Sequence, residues 1–279
     1  MSRLRNSVVV VTGGARGIGL AVARAAARRG AIVAVADIDA SAADEAAADL
    51  GPRCRGYGLD VSDASAFEAM IETIENELGQ VNVLVNNAGI AEASPTVGDQ
   101  SRVLVDRMID VNLGGVINGT LAALEWMEPR RRGQIVNVAS QAGRLSVPAL
   151  AAYTASKYGV VGFTDAVRFE YRDSGVCFTC VMPGPVDTGM MQGTKRVPLI
   201  RLVSPETVAE EVIAAIEKRR EDVFVPRSSG YLVRFAGVLP PKARERLSRL
   251  FGLHRLYAEI DPSKRNDYSD RIARQTPGH

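Results

Sequence analysis

Tyr153 and Lys157 stand four residues apart in this sequence. On a helix, this spacing places both side chains on one face, one turn apart. A free phenol has a pKa of about 10 and accepts protons poorly at neutral pH, whereas a neighbouring ammonium favours the phenolate and lowers that pKa. The pair can therefore act as a general acid and base, although the same spacing also suits an ordinary surface pair on an amphipathic helix.

Ser140 adds a hydroxyl to the same part of the sequence. It follows the apolar run 135–139, which is typical of a buried parallel strand. In open α/β sheets, the ligand crevice lies at the carboxyl ends of the strands. We therefore expect Ser140 to face that crevice.

A glycine-rich turn follows the first predicted strand. Residues 8–12 are mostly apolar, residues 13–19 read Gly-Gly-Ala-Arg-Gly-Ile-Gly, and an Ala-rich helix is expected from Leu20 to Arg29. Glycines let the backbone turn tightly and approach a pyrophosphate at the positive end of a helix. The spacing differs from the common Gly-x-Gly-x-x-Gly pattern, but its place between strand and helix favours nucleotide binding over a plain tight turn.

Asp37 ends the second apolar run, eighteen residues after Gly19. A carboxylate here would accept hydrogen bonds from the ribose of an adenosine and repel a 2′-phosphate, which favours NAD over NADP. Arg16, inside the glycine turn, could reach a 2′-phosphate and supports the NADP alternative. Asp37 could also serve only as a cap for the following helix.

Strands and helices alternate along the chain, which predicts a doubly wound parallel sheet with helices on both faces. The third strand is expected at 53–59. A helical segment predicted from Ser101 to Glu128 contains Asn112 close to two glycines, which are poor choices for a helix interior. We expect a kink there, with Asn112 directed at a partner.

Composition excludes several classes of protein. The sequence is 46% hydrophobic and 24% charged, as in soluble globular proteins, and no apolar run approaches the ~20 residues of a membrane span. The apolar run at 8–11 is too short for a signal peptide, so we expect a cytoplasmic protein. Cys177 and Cys180 should point to opposite faces of one strand, and the two histidines give little support for zinc, so we expect no metal site.

The carboxyl-terminal part is basic. Residues 226–279 contain eleven Lys or Arg and five Asp or Glu, a net charge of +6, and because the whole chain carries +2, residues 1–225 carry −4. The mildly acidic body disfavours nucleic acid as a partner. Leucines at helical spacing between Lys242 and Tyr257 predict a basic amphipathic helix. We expect it to pack on protein, with peripheral contact to an anionic membrane as the alternative.

Six motifs together resemble the short-chain dehydrogenase/reductase family. They are residues 12–19, residues 86–89, Asn112, Ser140, residues 153–157 and residues 183–188. The resemblance covers about residues 8–226 and implies a Rossmann-type sheet of seven parallel strands in the order 3-2-1-4-5-6-7. It also implies a homodimer or homotetramer. Residues 1–225 would form the dehydrogenase domain, and residues 226–279 an extension packed on it or on a neighbouring subunit.

The resemblance implies roles for individual residues. Tyr153 would be the general acid and base, Lys157 would lower its pKa and hold the nicotinamide ribose, Ser140 would bind the substrate oxygen, and Asn112 would position a water that relays protons. The expected cofactor contacts are Gly13, Arg16, Gly17, Ile18, Gly19, Asp37, Asp60, Val61, Asn87, Ala88, Gly89, Tyr153, Lys157, Pro183, Gly184, Val186 and Thr188.

The expected substrate wall is mostly apolar. Besides Ser140 and Tyr153, it includes Gln141, Val147, Met190 and Met191, with a lid that continues through Gln192 to residues 197–200. Methionines adapt to varied hydrophobic shapes, so we predict a lipophilic secondary alcohol or its ketone as the substrate.

Two alternatives to an NAD-dependent alcohol dehydrogenase remain. One is an NADPH-dependent reductase of 3-oxoacyl thioesters or ketones, which Arg16 supports. The other is a nucleotide-sensing regulator that keeps the fold without turnover. Such proteins typically lose the catalytic Tyr or Lys, and both are present here.

Overall fold

The structure is a computed structural model that describes residues 2–191 and 202–250. The strands in these ranges are β1 (Val8–Thr12), β2 (Ile32–Asp37), β3 (Arg55–Gly58), β4 (Val81–Asn86), β5 (Gly133–Val138), β6 (Val176–Pro183) and β7 (Asp222–Val225). The α-helices are α1 (Gly17–Arg28), α2 (Ala40–Leu50), α3 (Ala64–Glu77), α4 (Arg102–Ile109), α5 (Gly115–Met127), α6 (Ala151–Glu170), α7 (Pro205–Lys218), α8 (Ser229–Val238) and α9 (Pro241–Leu250).

All seven strands join one parallel sheet in the order β3-β2-β1-β4-β5-β6-β7. This confirms the predicted fold class and strand order. β1 pairs with β2 on one side and β4 on the other, so the direction of winding reverses there. A crevice opens at such a switch point beyond the carboxyl ends of the strands, and the glycine turn leaves β1 at this place.

The side chains of β1 alternate between two hydrophobic cores. Val9 and Val11 pack with α1, α2 and α7 on one face of the sheet, whereas Val8 and Val10 pack with α3 and α5 on the other. Because helices cover both faces, every position of this strand has to be apolar or internally bonded. That requirement explains the unbroken valine run that the sequence shows.

Two helices differ from the sequence prediction. α1 begins at Gly17, not at Leu20, so the last glycines of the turn already belong to its first helical turn. The segment around Asn112 is a π turn at Asp110–Gly114, in which the N–H of Gly115 donates to the carbonyl of Asp110. A π turn widens the helix by one residue and is frequent at functional sites; here it directs Asn112 into the interior.

The described part of the tail packs against β7. Val233 of α8 shares a hydrophobic cluster with Phe224. α9 starts at Pro241, one residue before the predicted amphipathic segment, but the later part of that segment, with Leu253, Leu256 and Tyr257, lies outside the described residues. So do Gln192 and residues 197–200 of the predicted lid. Within the described ranges, we find no helix that combines the length and the apolar character needed to cross a bilayer.

Candidate active site

Tyr153 and Lys157 lie on the first turns of α6. The Nζ atom of Lys157 lies 5.8 Å from the centre of the Tyr153 ring and donates a hydrogen bond to the carbonyl of Val138 at 2.9 Å. Lys157 is buried, and burial lowers its pKa to about 8. A charge held in such a low-dielectric place acts more strongly on its neighbours than the same charge in water.

Ser156 and Asn112 fix this turn of α6. The Ser156 hydroxyl donates to the carbonyl of Tyr153 at 2.7 Å and accepts from the Asn112 amide at 3.1 Å. Asn112 also donates to the carbonyl of Ile90 at 2.9 Å and accepts from its N–H at 2.8 Å. The Asn112 side chain therefore braces the segment after β4 against α6, while the water relay implied by the resemblance stays a prediction.

Two strand amides continue the bracing deeper in the protein. Asn86 donates to Asn137 at 3.0 Å, and Asn137 donates to the hydroxyl of Thr164 on α6 at 3.0 Å. All three side chains are buried. In the interior a hydrogen bond is stronger than in water, and an unpaired polar group is costly. Sequence reasoning missed Asn137 and Thr164, although a polar residue inside an apolar strand was an available signal.

Ser140 follows β5 at the mouth of the crevice. Its hydroxyl oxygen accepts the N–H of Ala142 at 3.1 Å and so caps the short 3-10 turn Gln141–Gly143. Because the oxygen is the acceptor in this bond, the hydroxyl hydrogen is left for donation to a group in the crevice. The Gln141 amide instead donates to the Val225 carbonyl at 3.1 Å and to Ser229 at 2.6 Å, which ties this turn to β7 and α8.

Two cavities open at the carboxyl ends of the strands and share a wall. The first is lined by the glycine turn and the ends of β2 and β3, and the second by the ends of β5 and β6 and the start of α6. The residues common to both are Ile18, Asn87, Gly89, Thr188 and Met190. A long ligand can therefore pass from one cavity into the other.

Most of the predicted site residues line one of these cavities. The first cavity contains Gly13, Arg16, Gly17, Ile18, Asp37, Asp60, Val61, Asn87, Ala88, Gly89, Thr188 and Met190. The second contains Ser140, Gln141, Val147, Tyr153, Lys157, Pro183, Gly184, Val186, Met190 and Met191. Gly19 and Asn112 line neither: Asn112 is the brace described above, and a Cβ on Gly19 would collide with the carbonyl of Gly13.

The first cavity fits the phosphates of a dinucleotide. Gly13 has a φ of +60°, which favours glycine, and its position lets the turn pass close to Ala88. The first turn of α1 contains no acidic residue. No described side chain caps this helix, so its positive end favours an anion.

Asp37 and Arg16 stand at the ribose end expected for such a ligand. The Asp37 carboxylate accepts the N–H groups of Ala15 at 3.2 Å and Asp39 at 3.3 Å. The Arg16 guanidinium pairs with the Asp39 carboxylate at 2.5 Å. Both partners are exposed, so this pair contributes at most about 1 kcal/mol.

Arg107 is a cavity residue that sequence reasoning missed. Its guanidinium donates to Asp60 and to the hydroxyl of Ser62, each at 2.7 Å. Burial alone would raise the pKa of Asp60, but the hydrogen bonds from Arg107 and Ser62 outweigh burial and hold that pKa below its usual value. Asp60 is thus an ionised, oriented acceptor, and no local pattern links it to an arginine 47 positions away.

The described ranges contain no cluster of His, Cys, Asp and Glu that could hold a metal ion. Cys54, Cys177 and Cys180 are free thiols, and Cys180 is buried in β6.

Known proteins resemble this chain over most of its length. The sequence profile of the short chain dehydrogenases matches residues 7–197. A 2-(S)-hydroxypropyl-CoM dehydrogenase of Xanthobacter autotrophicus is 39% identical over 76% of this chain and 90% of its own. A putative ketoacyl reductase of monensin polyketide synthesis from Streptomyces virginiae is 37% identical over 75% and 89%. The crystal structure of a short chain dehydrogenase/reductase from Burkholderia phymatum in complex with NAD superposes with a TM-score of 0.77 at 26% identity, covering 84% of this chain and 94% of that one.

The burial of Lys157 gives a stability test. Its pKa is about 8 in the folded protein against 10.5 for a free side chain. Between these values the unfolded chain binds more protons, so the free energy of unfolding rises with pH. Lys157→Met removes the buried charge, and we expect it to stabilise the protein by about 1–3 kcal/mol near pH 7, less near pH 10.

Urea unfolding at the two pH values measures this effect. Lys218→Met, at an exposed lysine on α7, is the matched control and should change the free energy of unfolding little at either pH. A Lys157→Met protein that is no more stable than the wild type near pH 7 would contradict the assignment of a costly buried ammonium.

Proposed function

Because the chain belongs to the short chain dehydrogenase family, we propose that it is an NAD-dependent oxidoreductase that interconverts a lipophilic secondary alcohol and its ketone. The observation that carries this proposal is the wall shared by the two cavities. Tyr153, Lys157 and Ser140 line one cavity, and the glycine turn and Asp37 line the other. A substrate oxygen bound at Tyr153 would thus lie beside the end of a dinucleotide that starts at the glycine turn.

The reaction divides between hydride and proton transfer. A nicotinamide dinucleotide bound in the first cavity would accept or supply the hydride. In oxidation, the Tyr153 phenolate would take the proton of the substrate hydroxyl as the carbonyl forms, and in reduction the phenol would return it. Lys157 would stabilise the phenolate, and the Ser140 hydroxyl would donate to the substrate oxygen where negative charge develops.

The residues of the first cavity support binding and orientation of the adenosine half. Asp37 would accept hydrogen bonds from the ribose hydroxyls. Asp60, oriented by Arg107, would accept from the amino group of adenine, and Val61 would flank the ring beside Ile38. We assign Arg107 as a positioning residue, because it acts through the Asp60 carboxylate.

The lining of the second cavity supports a lipophilic substrate. Its apolar residues include Leu145, Val147, Leu150, Met190 and Met191. Arg144 does not bring a free charge to this cavity, because its guanidinium pairs with Asp165 at 2.9 Å. Among the described lining residues, the one cation that could pair with a carboxylate or phosphate on the substrate is Lys157, whose ammonium is bonded to the Val138 carbonyl.

A reductase of 3-oxoacyl thioesters that uses NADPH is the second candidate. The similarity to the ketoacyl reductase of Streptomyces virginiae and the presence of Arg16 favour it. Asp37 opposes it, since a carboxylate repels a 2′-phosphate. Activity of alcohols and ketones with NAD(H) and NADP(H), followed at the nicotinamide absorbance, separates the two candidates.

Assembly as a homodimer or homotetramer is part of the proposal. Val103 of α4 and Leu121 of α5 are exposed apolar side chains on the helices that flank the π turn. Burial between protomers would remove such surface from water. Light scattering of the purified protein measures the number of protomers.

Tyr153→Phe tests the proton transfer. Removing the hydroxyl should lower turnover by about 100- to 10,000-fold, the usual contribution of general acid–base catalysis. NAD binding, measured by calorimetry, should stay close to that of the wild type because the ring remains. Tyr158→Phe, at an exposed tyrosine on the same helix, is the control and should keep full turnover. Turnover of Tyr153→Phe within a factor of a few of the wild type would refute the role.

Asp37→Ser tests the choice of cofactor. It removes the charged acceptor expected at the ribose, so kcat/KM with NAD should fall by about 10- to 100-fold while NADP is used relatively better. Asp39→Ser is the matched control: it releases Arg16 but keeps a side chain that can cap α2, and its effect should stay within a few fold. A larger change in the preference for NAD over NADP in Asp39→Ser than in Asp37→Ser would overturn this assignment.

A further inference from the structure

The outer face of α8 is apolar and uncovered by the described part of the chain. Tyr231, Phe235 and Val238 follow the spacing i, i+4, i+7, and 82%, 60% and 80% of their surfaces are exposed. Residues at this spacing share one helix face. The opposite face, with Val233 and Ala236, is buried. The helix is thus anchored by one apolar side and presents a second one to the surroundings.

Soluble proteins scatter single apolar residues over the surface but rarely group them. An exposed apolar cluster marks a site of contact with a protein, a ligand or a membrane. Two of the three side chains are aromatic, and one carries a hydroxyl. Tyrosine is favoured at the boundary between water and lipid headgroups, and phenylalanine is common on the apolar face of helices that lie there.

Cations lie on α8 and on α9, the helix that follows it in the chain. Arg234 lies on α8 itself with 64% of its side chain exposed, and its contact with Asp222 is long, at 3.7 Å. On α9, Lys242, Arg246 and Arg249 are exposed. With Arg244 and the single acidic residue Glu245, α9 carries a net charge of +3. The combination of an exposed apolar face with neighbouring cations is typical of helices that lie in a membrane interface.

We infer that α8 and α9 dock this protein on the anionic surface of a lipid bilayer. Tyr231, Phe235 and Val238 enter the headgroup region, and the cations of Arg234 and α9 contact lipid phosphates. Charge decides between this partner and a second copy of the chain. A two-fold contact through α8 would bring the same positive groups together, and like charges oppose association.

The docking surface is connected to the second cavity. Ser229, the first residue of α8, accepts a hydrogen bond from the Gln141 side chain, and Gln141 lines that cavity. A substrate dissolved in the bilayer would therefore reach the protein near the cavity wall. This consequence rests on the proposed function, whereas the docking itself does not.

Co-sedimentation with vesicles tests the docking. The full chain should bind vesicles of phosphatidylcholine mixed with phosphatidylglycerol at least about tenfold more tightly than vesicles of phosphatidylcholine alone, and added salt should weaken the binding. The double variant Tyr231→Ser/Phe235→Ser should lose at least about tenfold in affinity for the anionic vesicles. Phe169→Ser, at an exposed aromatic residue of α6, is the matched control and should bind like the wild type.

Two further measurements separate membrane contact from unfolding and from a change of assembly. Phe235→Trp should show a blue shift of tryptophan fluorescence on addition of anionic vesicles, against the constant background of Trp126, the one native tryptophan. The double variant should keep the melting temperature and the light-scattering mass of the wild type.

A wild-type chain that stays in the supernatant, or a double variant that binds equally well, would overturn the inference. The double variant could instead form smaller oligomers than the wild type while the wild type does not bind vesicles. That result would show that the apolar face of α8 contacts a second copy of the chain. None of these outcomes depends on turnover, so failure of the docking is distinguishable from failure of the proposed function.

Discussion

The buried ammonium of Lys157 is the constraint on which the site depends. A charge in the interior is unfavourable unless polar groups hold it, and here the carbonyl of Val138 at the end of β5 does so. The helix that carries Lys157 must therefore stay in register with the sheet. Ser156, Asn112 and Asn137 hold it there through hydrogen bonds that reach α6 from the π turn and from β5. Burial of the ammonium lowers the free energy of unfolding, and it places the Lys157 cation in the same cavity as the Tyr153 phenol.

The two cavities differ in the polar groups that line them. In the first cavity, Asp37 and Asp60 are carboxylates oriented by backbone N–H groups or by Arg107. On the other side, the polar groups are concentrated at Ser140, Tyr153 and Lys157, and the remaining wall is largely apolar. In the proposed function, orientation would be set mainly by the first cavity, and discrimination among substrates would be left to shape and hydrophobic contact.

The sequence was sufficient for features that depend on local pattern. Apolar runs alternating with helical stripes predicted the doubly wound sheet, and the glycine turn after β1 and the Tyr153–Lys157 spacing predicted parts of the site. The strand order and most of the residues that line the cavities followed from the resemblance that the six motifs carry. Contacts between distant segments were not predictable, because no local pattern encodes them. The Arg107–Asp60 pair, the Arg16–Asp39 pair and the tie from Gln141 to α8 are of this kind. The π turn was predictable only in part. The glycines near Asn112 indicated an irregular helix, but the partners of Asn112, Ile90 and Ser156, lie far away in the sequence.

The pH dependence of kcat/KM for alcohol oxidation tests most directly whether a neighbouring ammonium makes the phenol basic. For the wild type, we expect a profile that rises and levels off with an apparent pKa well below the value of about 10 for a free phenol. In Lys157→Met, the residual activity should level off only near that value. Equal apparent pKa values in the two proteins would contradict the role of Lys157, because they would show that the cation one helical turn away does not lower the pKa of the proton acceptor.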